Sequence, residues 1–414
     1  MNSFNQGKTH SIKWYCIPTN NSLFAANQRE WWLYFLIASV TFGRYILNLL
    51  VAVALRIPLL RDISSYIPNV IICLSIVLAF PLLTKRLKYV DLLVFICILV
   101  IYLLQYIFFP SNSQYLDEYF GKVFFTAIPF YYIGCIIDIK KLDKLFLILS
   151  VITLFLYVYH DLFYTQEIVD DDRGEYKMGI AYGILPTTVY VAWSTLRKFK
   201  ILPFFALLSS GLLLFSYGTR GPILCLVVFI LLFILFFYKG KYKWLIVGII
   251  TALVLYALLN IESLIGIIGE KVSSLGGSTR LLSYVIEDKL ADDSGRSDII
   301  RCLQTLLSEG DHPFGFGLFA SWRYTGGYAH RIHWDLWFSF GYFLGTFFMF
   351  LIIVPMLKGW RKTKEKTERG FLFVLFCIGF LPLMLSGYFL FYSNFFLFMG
   401  YCVSRTRDVQ LPEI

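Results

Sequence analysis

Charge is scarce in this chain. Only 15% of its residues are Asp, Glu, Lys or Arg, while 58% are hydrophobic; a soluble domain carries about a quarter charged residues. Mean hydropathy is +0.68, and so much apolar surface cannot fit inside a water-soluble core. Strict apolar–polar alternation is also missing, which excludes a membrane β-barrel, whose strands alternate from residue to residue. The first 30 residues are polar and lack a short apolar core ending at small residues. No cleavable signal peptide is therefore expected, and the first span serves as its own insertion signal. Cysteines outside apolar runs are few. Of eight in the chain, Cys73, Cys97, Cys135, Cys225 and Cys377 lie inside such runs, and Cys302 is the one in a region expected to face out. That leaves no external disulfide framework.

What the chain does have is a succession of apolar runs of about twenty residues, the length that crosses a bilayer as a helix. The expected spans are roughly 31–55, 66–84, 89–109, 123–138, 145–163, 178–195, 201–217, 222–238, 244–259, 333–357, 371–386 and 388–404. The fold class is thus an all-α polytopic membrane protein of about twelve transmembrane helices, with one large extracytoplasmic helical loop. Residues 1–259 hold about nine spans, 260–332 form the loop, and 333–414 hold about three.

The net charge of +10 could point to nucleic acid, but the positive residues fall in short loops between spans, so no nucleic-acid partner is expected. Lys85, Arg86 and Lys88 follow the second span. Lys140, Lys141 and Lys144 follow the fourth, Arg197, Lys198 and Lys200 the sixth, and Lys239, Lys241 and Lys243 the eighth. Lys358–Arg369 follows the tenth, and Arg405 and Arg407 end the last. The intervening loops are mixed, acidic (Asp170, Asp171, Asp172) or uncharged. The positive-inside rule then places both termini in the cytoplasm and the long loop outside.

That loop is patterned. Ser294 reads as an N-cap and Gly310 as a helix stop, with Arg296, Ile300, Leu303 and Leu307 on one face between them. HPFGFG, His312–Gly317, reads as a turn. His330 then lies at the outer mouth of the tenth span. Gly341 and Gly345 further in form a small-xxx-small pair that would admit a neighbouring helix. His330 and Gly341 are eleven residues apart, about three helical turns, so one helical face would carry both. Histidine suits a general base near neutrality; the alternative is an interfacial histidine beside Trp334 and Trp337. Arg220 sits in a tight connection on the outer side, against the positive-inside trend, so an anionic partner is expected; snorkelling to lipid phosphate is the alternative. Arg296, at a helix start, combines a guanidinium with free backbone amides, as an anion site requires. Arg280 and Arg323 in the same loop, and Arg331 beside the histidine, are further substrate-binding candidates. For Arg44, inside the first span, a buried ion pair and a substrate contact stay open. His330, His333 and Asp335 are too few to make a metal site expected, and no cofactor is expected.

The order of these signals resembles the O-antigen ligase and O-antigen polymerase superfamily. The matching residues are GTRGP at Arg220, SGR at Arg296 with Pro313, Gly315 and Gly317, and His330 with Gly341; Arg331 stands where that family usually has Asn or Ser. The resemblance covers roughly 205–360. It implies a metal-independent membrane glycosyltransferase at the outer face of a bacterial cytoplasmic membrane. The donor would be an undecaprenyl-diphosphate-linked oligosaccharide. Arg220 and Arg296 would hold the diphosphate, and His330 would deprotonate an acceptor hydroxyl that attacks with inversion. A polymerase, working beside a flippase and a chain-length regulator, is preferred; a ligase acting on lipid A core is the alternative. A secondary transporter is the rival from another class, although the halves show no repeat of the kind transporters carry.

Overall fold

In the computed structural model, the described residues are 28–43, 70–75, 77–78, 87–164, 173–216, 220–238, 296–309 and 312–407, with scattered positions between 244 and 256. Helix is their only regular structure. In chain order the helices are α1 (Gln28–Thr41), α2 (Tyr89–Phe108), α3 (Ser113–Lys122), α4 (Ile128–Ile136), α5 (Ile139–Tyr164), α6 (Arg173–Arg197) and α7 (Ile201–Ser216). They continue with α8 (Arg220–Phe237), α9 (Arg296–Glu309), α10 (Ala320–Thr325), α11 (Ile332–Lys362), α12 (Lys366–Gly379), α13 (Leu381–Leu385) and α14 (Ser393–Thr406). Six helical stretches among the described residues are long and apolar enough to cross a membrane: Tyr89–Phe108, Pro110–Ile136, Ile139–Tyr159, Arg220–Phe237, Ile332–Lys362 and Lys366–Leu385. The chain is therefore a helical membrane protein. In α2, Leu92, Leu93, Ile96, Val100, Leu103 and Ile107 are all exposed, the pattern of a helix suited to face hydrocarbon.

Several expected spans differ from the helices found. The first was expected over 31–55, but α1 ends at Thr41, where Phe42 and Gly43 both donate to the Ala38 carbonyl. The span expected from 123 is the end of a longer rod, in which α3 runs through a π-helical stretch, Val123–Ala127, into α4. Pro129 stands just beyond it and brings no amide donor, and the wider turn absorbs the interruption. The last span was expected from 388. Instead Ser386–Tyr392 is a non-α-helical connection with a 3-10 turn at Phe389–Phe391, and α14 starts at Ser393. Tyr388, Phe389 and Leu390 on that connection are buried, so an apolar run that hydropathy assigns to lipid is protein interior. Arg44, Arg280, Ser294 and Gly310, most of the spans expected at 66–84 and 244–259, and most of the loop before Arg296 lie outside the described residues.

The core is aromatic. Phe42, Phe146, Tyr190, Trp193 and Phe371 join α1, α5, α6 and α12, and Phe319 reaches in from the loop to Tyr102, Tyr119 and Tyr388. One end of the bundle is tied by ions. Lys140 pairs with Glu365, Arg197 with Asp143 and Arg405 with Glu368. Arg407 grips Asp91 with both guanidinium nitrogens, its Nη1 2.6 Å from Oδ2. The Asp91 carboxylate also accepts from the Lys88 amide, capping α2, and from the Tyr131 hydroxyl at 3.0 Å. The Asp91 side chain is fully buried and that of Arg407 is 10% exposed, so the pair's worth lies in mutual satisfaction of buried charge.

Candidate functional site

The loop residues 312–331 are built around a break in α11. Gly341 has φ 76° and ψ 166° inside an otherwise helical run, a conformation that residues with a Cβ avoid. The break leaves carbonyls without helical partners, and backbone at membrane depth must find others. The His312–Gly317 turn supplies them. The Phe316 amide donates to the Phe338 carbonyl at 2.9 Å and the Gly317 amide to the Ser339 carbonyl at 3.0 Å. Gly315 and Gly317, both at positive φ, let the turn lie directly on the break, and a Cβ on Gly341 would overlap the Pro313 carbonyl. The far side of the turn is held by buried amides of the α2 end. Gln105 accepts from the Leu318 amide at 2.8 Å, and Asn112 donates to the Phe316 and Leu318 carbonyls at 2.9 and 3.2 Å.

This corrects two expectations. His330 and Gly341 do not share a helical face: His330 precedes α11, has φ 60°, and Gly341 interrupts the helix. Gly345 does not admit a neighbouring helix either; a Cβ there would meet Leu336 and Trp337 of the same helix across the kink. The glycines shape the chain's own fold around the turn.

His330 is half-buried in its left-handed conformation, which costs about 1–3 kcal/mol for a non-glycine residue and persists only where surroundings impose it. Asp335 is one such constraint. It is buried in the first turn of α11, and its Oδ1 accepts the Ala329 amide at 3.0 Å. The Asp335 Oδ2 has no partner among the described residues. The His330 ring lies against Tyr328, with centroids 4.2 Å apart, and its Nδ1 is 3.4 Å from the Ser386 hydroxyl. Tyr328 reaches the same hydroxyl at 3.2 Å. Ser386 is thus a hub, buried at the end of α13.

One of the expected arginines borders this hub, and a second starts the helix that packs on Tyr182. Arg296 is the first residue of α9, and its Nη1 donates to the carbonyl of Leu385, next to Ser386, at 3.2 Å. α9 is seated by Leu303 and Leu307, which pack with Ala329, Trp334 and Phe338. Arg220 is the exposed first residue of α8, and Gly221 beside it presses on Tyr182 so closely that a Cβ would overlap the tyrosine oxygen. Arg331 is exposed at the start of α11, adjacent to the histidine. Arg323 turns elsewhere: it bonds the Ser111 hydroxyl and, at 2.6 Å, the Tyr324 hydroxyl, outside the cluster. His333 packs against Trp334 and Trp337, and among the described residues no three His, Cys, Asp or Glu side chains converge as metal ligands.

Sequence reasoning missed Ser386, Tyr182 and Tyr328, and weighed Asp335 only as a metal ligand. Only Asp335 carried a signal: an acid within an apolar run is usually functional or paired. The arrangement offers an imidazole and a guanidinium around one buried hydroxyl, with a second guanidinium at the adjoining helix start. It stands at the opposite end of α12 and α13 from Glu365 and Glu368 of the ion-paired end; those 20 residues span about 30 Å at 1.5 Å each. Compared with family models, characterised proteins and solved structures, the chain matches none.

Proposed function

We propose that this chain is a membrane glycosyltransferase that polymerises undecaprenyl-diphosphate-linked oligosaccharide repeat units at the outer face of a bacterial cytoplasmic membrane. The observation carrying this reading is the meeting of His330 with Ser386 and of Arg296 with the adjoining Leu385 carbonyl, while Arg220 starts the helix whose Gly221 lies against Tyr182. Those residues come from segments far apart in sequence and follow the order that prompted the resemblance.

In this reading the chain has about twelve spans with both termini cytoplasmic. The ion-paired end, where Lys140, Arg197, Arg405 and Arg407 gather, is the cytoplasmic one, and the Ser386 hub faces out. Arg296 and Arg220 bind the diphosphate and offset the charge that grows on it as it leaves. His330 removes the proton of an acceptor sugar hydroxyl. The hydroxyl oxygen bonds to the anomeric carbon from the face opposite the diphosphate, and the old carbon–oxygen bond breaks with its electron pair going to the leaving phosphate oxygen. The proton on the imidazole passes on to solvent.

The test is transfer by the purified chain with a defined lipid-linked repeat unit, with and without chelator and with a lipid A core acceptor in a parallel arm. Lengthened glycan on the lipid carrier supports the polymerase; product on the core acceptor instead supports a ligase. H330A should form no polymer while expressing normally, and normal polymer in that variant removes the base from the scheme. Single cysteines placed at 170 and 364 should be reached by an impermeant reagent from opposite sides, and the reverse pattern overturns the orientation.

A further inference from the structure

The end of α11 and the start of α12 carry cations that the ion pairs of that end leave over. Arg197, Arg405 and Arg407 each face an acid, and Glu365 and Glu368 are engaged by Lys140 and Arg405. Lys358, Arg361 and Arg369 have no acid within ion-pair distance among the described residues. Arg369 is half-buried. Its guanidinium lies over the Trp360 ring, 5.3 Å from the centroid, and its Nε is buried with no hydrogen-bond partner among the described residues. A guanidinium held this way has lost water without gaining an acceptor, a cost that a bound anion removes. Trp360 in turn packs on Phe236 and Phe373, so the corner lies where α8, α11 and α12 meet.

The surface leading to this corner is apolar and has a defined length. Phe350, Leu351, Val354 and Leu357 are exposed along one face of α11, and that face ends in exposed Lys358 and Arg361. From Phe350 to Arg361 the helix rises about 16 Å, close to the hydrocarbon depth of one leaflet. The other side of α11 packs on α14, where Gly359 lies against Cys402. An acyl chain lying along the stripe would therefore bring its phosphate level with Arg361 and Trp360.

We propose that this corner binds the headgroup phosphate of an anionic phospholipid in the leaflet at the ion-paired end, with Arg361 and Arg369 as donors and Lys358 beside them. A guanidinium presents paired N–H groups that match two phosphate oxygens. Trp360 holds the Arg369 guanidinium in place through its ring face and stands at the level where interfacial tryptophans anchor. The net charge of the headgroup decides which lipid fits. A zwitterionic headgroup brings an ammonium into a corner that already holds three cations, whereas an anionic one brings only negative charge. The site lies at the opposite end of α12 and α13 from Ser386 and does not depend on the glycosyl-transfer reading.

The experiment uses the full chain, with retained lipids counted by native mass spectrometry after exchange into mixed micelles of phosphatidylglycerol and phosphatidylcholine. Wild type should retain phosphatidylglycerol in preference to phosphatidylcholine. R361Q and R369Q should each weaken that retention about fivefold, and the double variant more than tenfold. K198Q/K200Q, which removes two exposed lysines elsewhere at the same end, should leave it unchanged. Arg361 is exposed, so R361Q tests the site even if R369Q fails to fold. Equal retention of the two lipids overturns the proposal, as does an R361Q variant that holds phosphatidylglycerol like wild type or an equal loss in K198Q/K200Q. A parallel heating assay with size exclusion should show stabilisation by phosphatidylglycerol and none by inorganic phosphate; equal stabilisation by both would make this a site for free phosphate and refute the lipid.

Discussion

Replacing Gly341 by alanine should damage this protein more than any ordinary glycine-to-alanine change in a helix. Alanine normally favours a helix by up to about 1 kcal/mol. At Gly341 the backbone stands at φ 76° and ψ 166°, which costs a residue with a side chain about 1–3 kcal/mol. The new methyl would also collide with the Pro313 carbonyl, which belongs to the His312–Gly317 turn. The turn must retreat, and the bonds from the Phe316 and Gly317 amides to Phe338 and Ser339 weaken or break, at about 1 kcal/mol each. With residual crowding the loss comes to about 3–6 kcal/mol. Gly211, inside α7, is the control, because a Cβ there meets nothing within 4 Å; G211A should be neutral or slightly stabilising. The assay is the fraction of protein still monodisperse after heating in detergent, followed by size exclusion. If G341A melts with wild type, or G211A falls as far as G341A, the account of the broken helix and its docked turn is wrong.

At the ion-paired end, R407A should cost about 3–5 kcal/mol because it strands the buried Asp91 carboxylate, and the D91N/R407M double variant should recover part of that loss; equal melting of R407A and wild type would contradict it. G221A should push the Tyr182 hydroxyl away from its site and cut glycan transfer while leaving the elution profile unchanged, and full transfer would separate Tyr182 from function. R220K should lose far more transfer than its conserved charge implies, because lysine cannot present the paired donors of a guanidinium to a diphosphate; full activity would favour an arginine that merely snorkels. R323A should leave transfer near wild type, since that side chain is engaged with Ser111 and Tyr324, and a large loss would return it to the site.

How much of this was legible depends on what a sequence pattern reports. Runs such as those of α2, α8 and α11 announce helices because twenty consecutive apolar residues satisfy a bilayer's thickness in no other way. The face carrying Leu303 and Leu307 was visible because α9 lies half on protein and half in water, so its periodicity survives. Along Ser386–Tyr392 the same reasoning fails. Lipid and protein interior are both apolar, so hydropathy cannot tell a buried connection from a span. The role of Gly341 was misread because a helical wheel presumes the helix continues through it.

The sequence by itself determined the helical membrane class and the order in which Arg220, Arg296 and His330 follow one another, since composition and run length answer to the solvent and not to any partner. The tertiary structure alone decided that a buried serine and Tyr328 stand beside the histidine. Those contacts join the loop and the end of α13, and such pairings obey no local period. They bring together segments more than fifty residues apart in the chain.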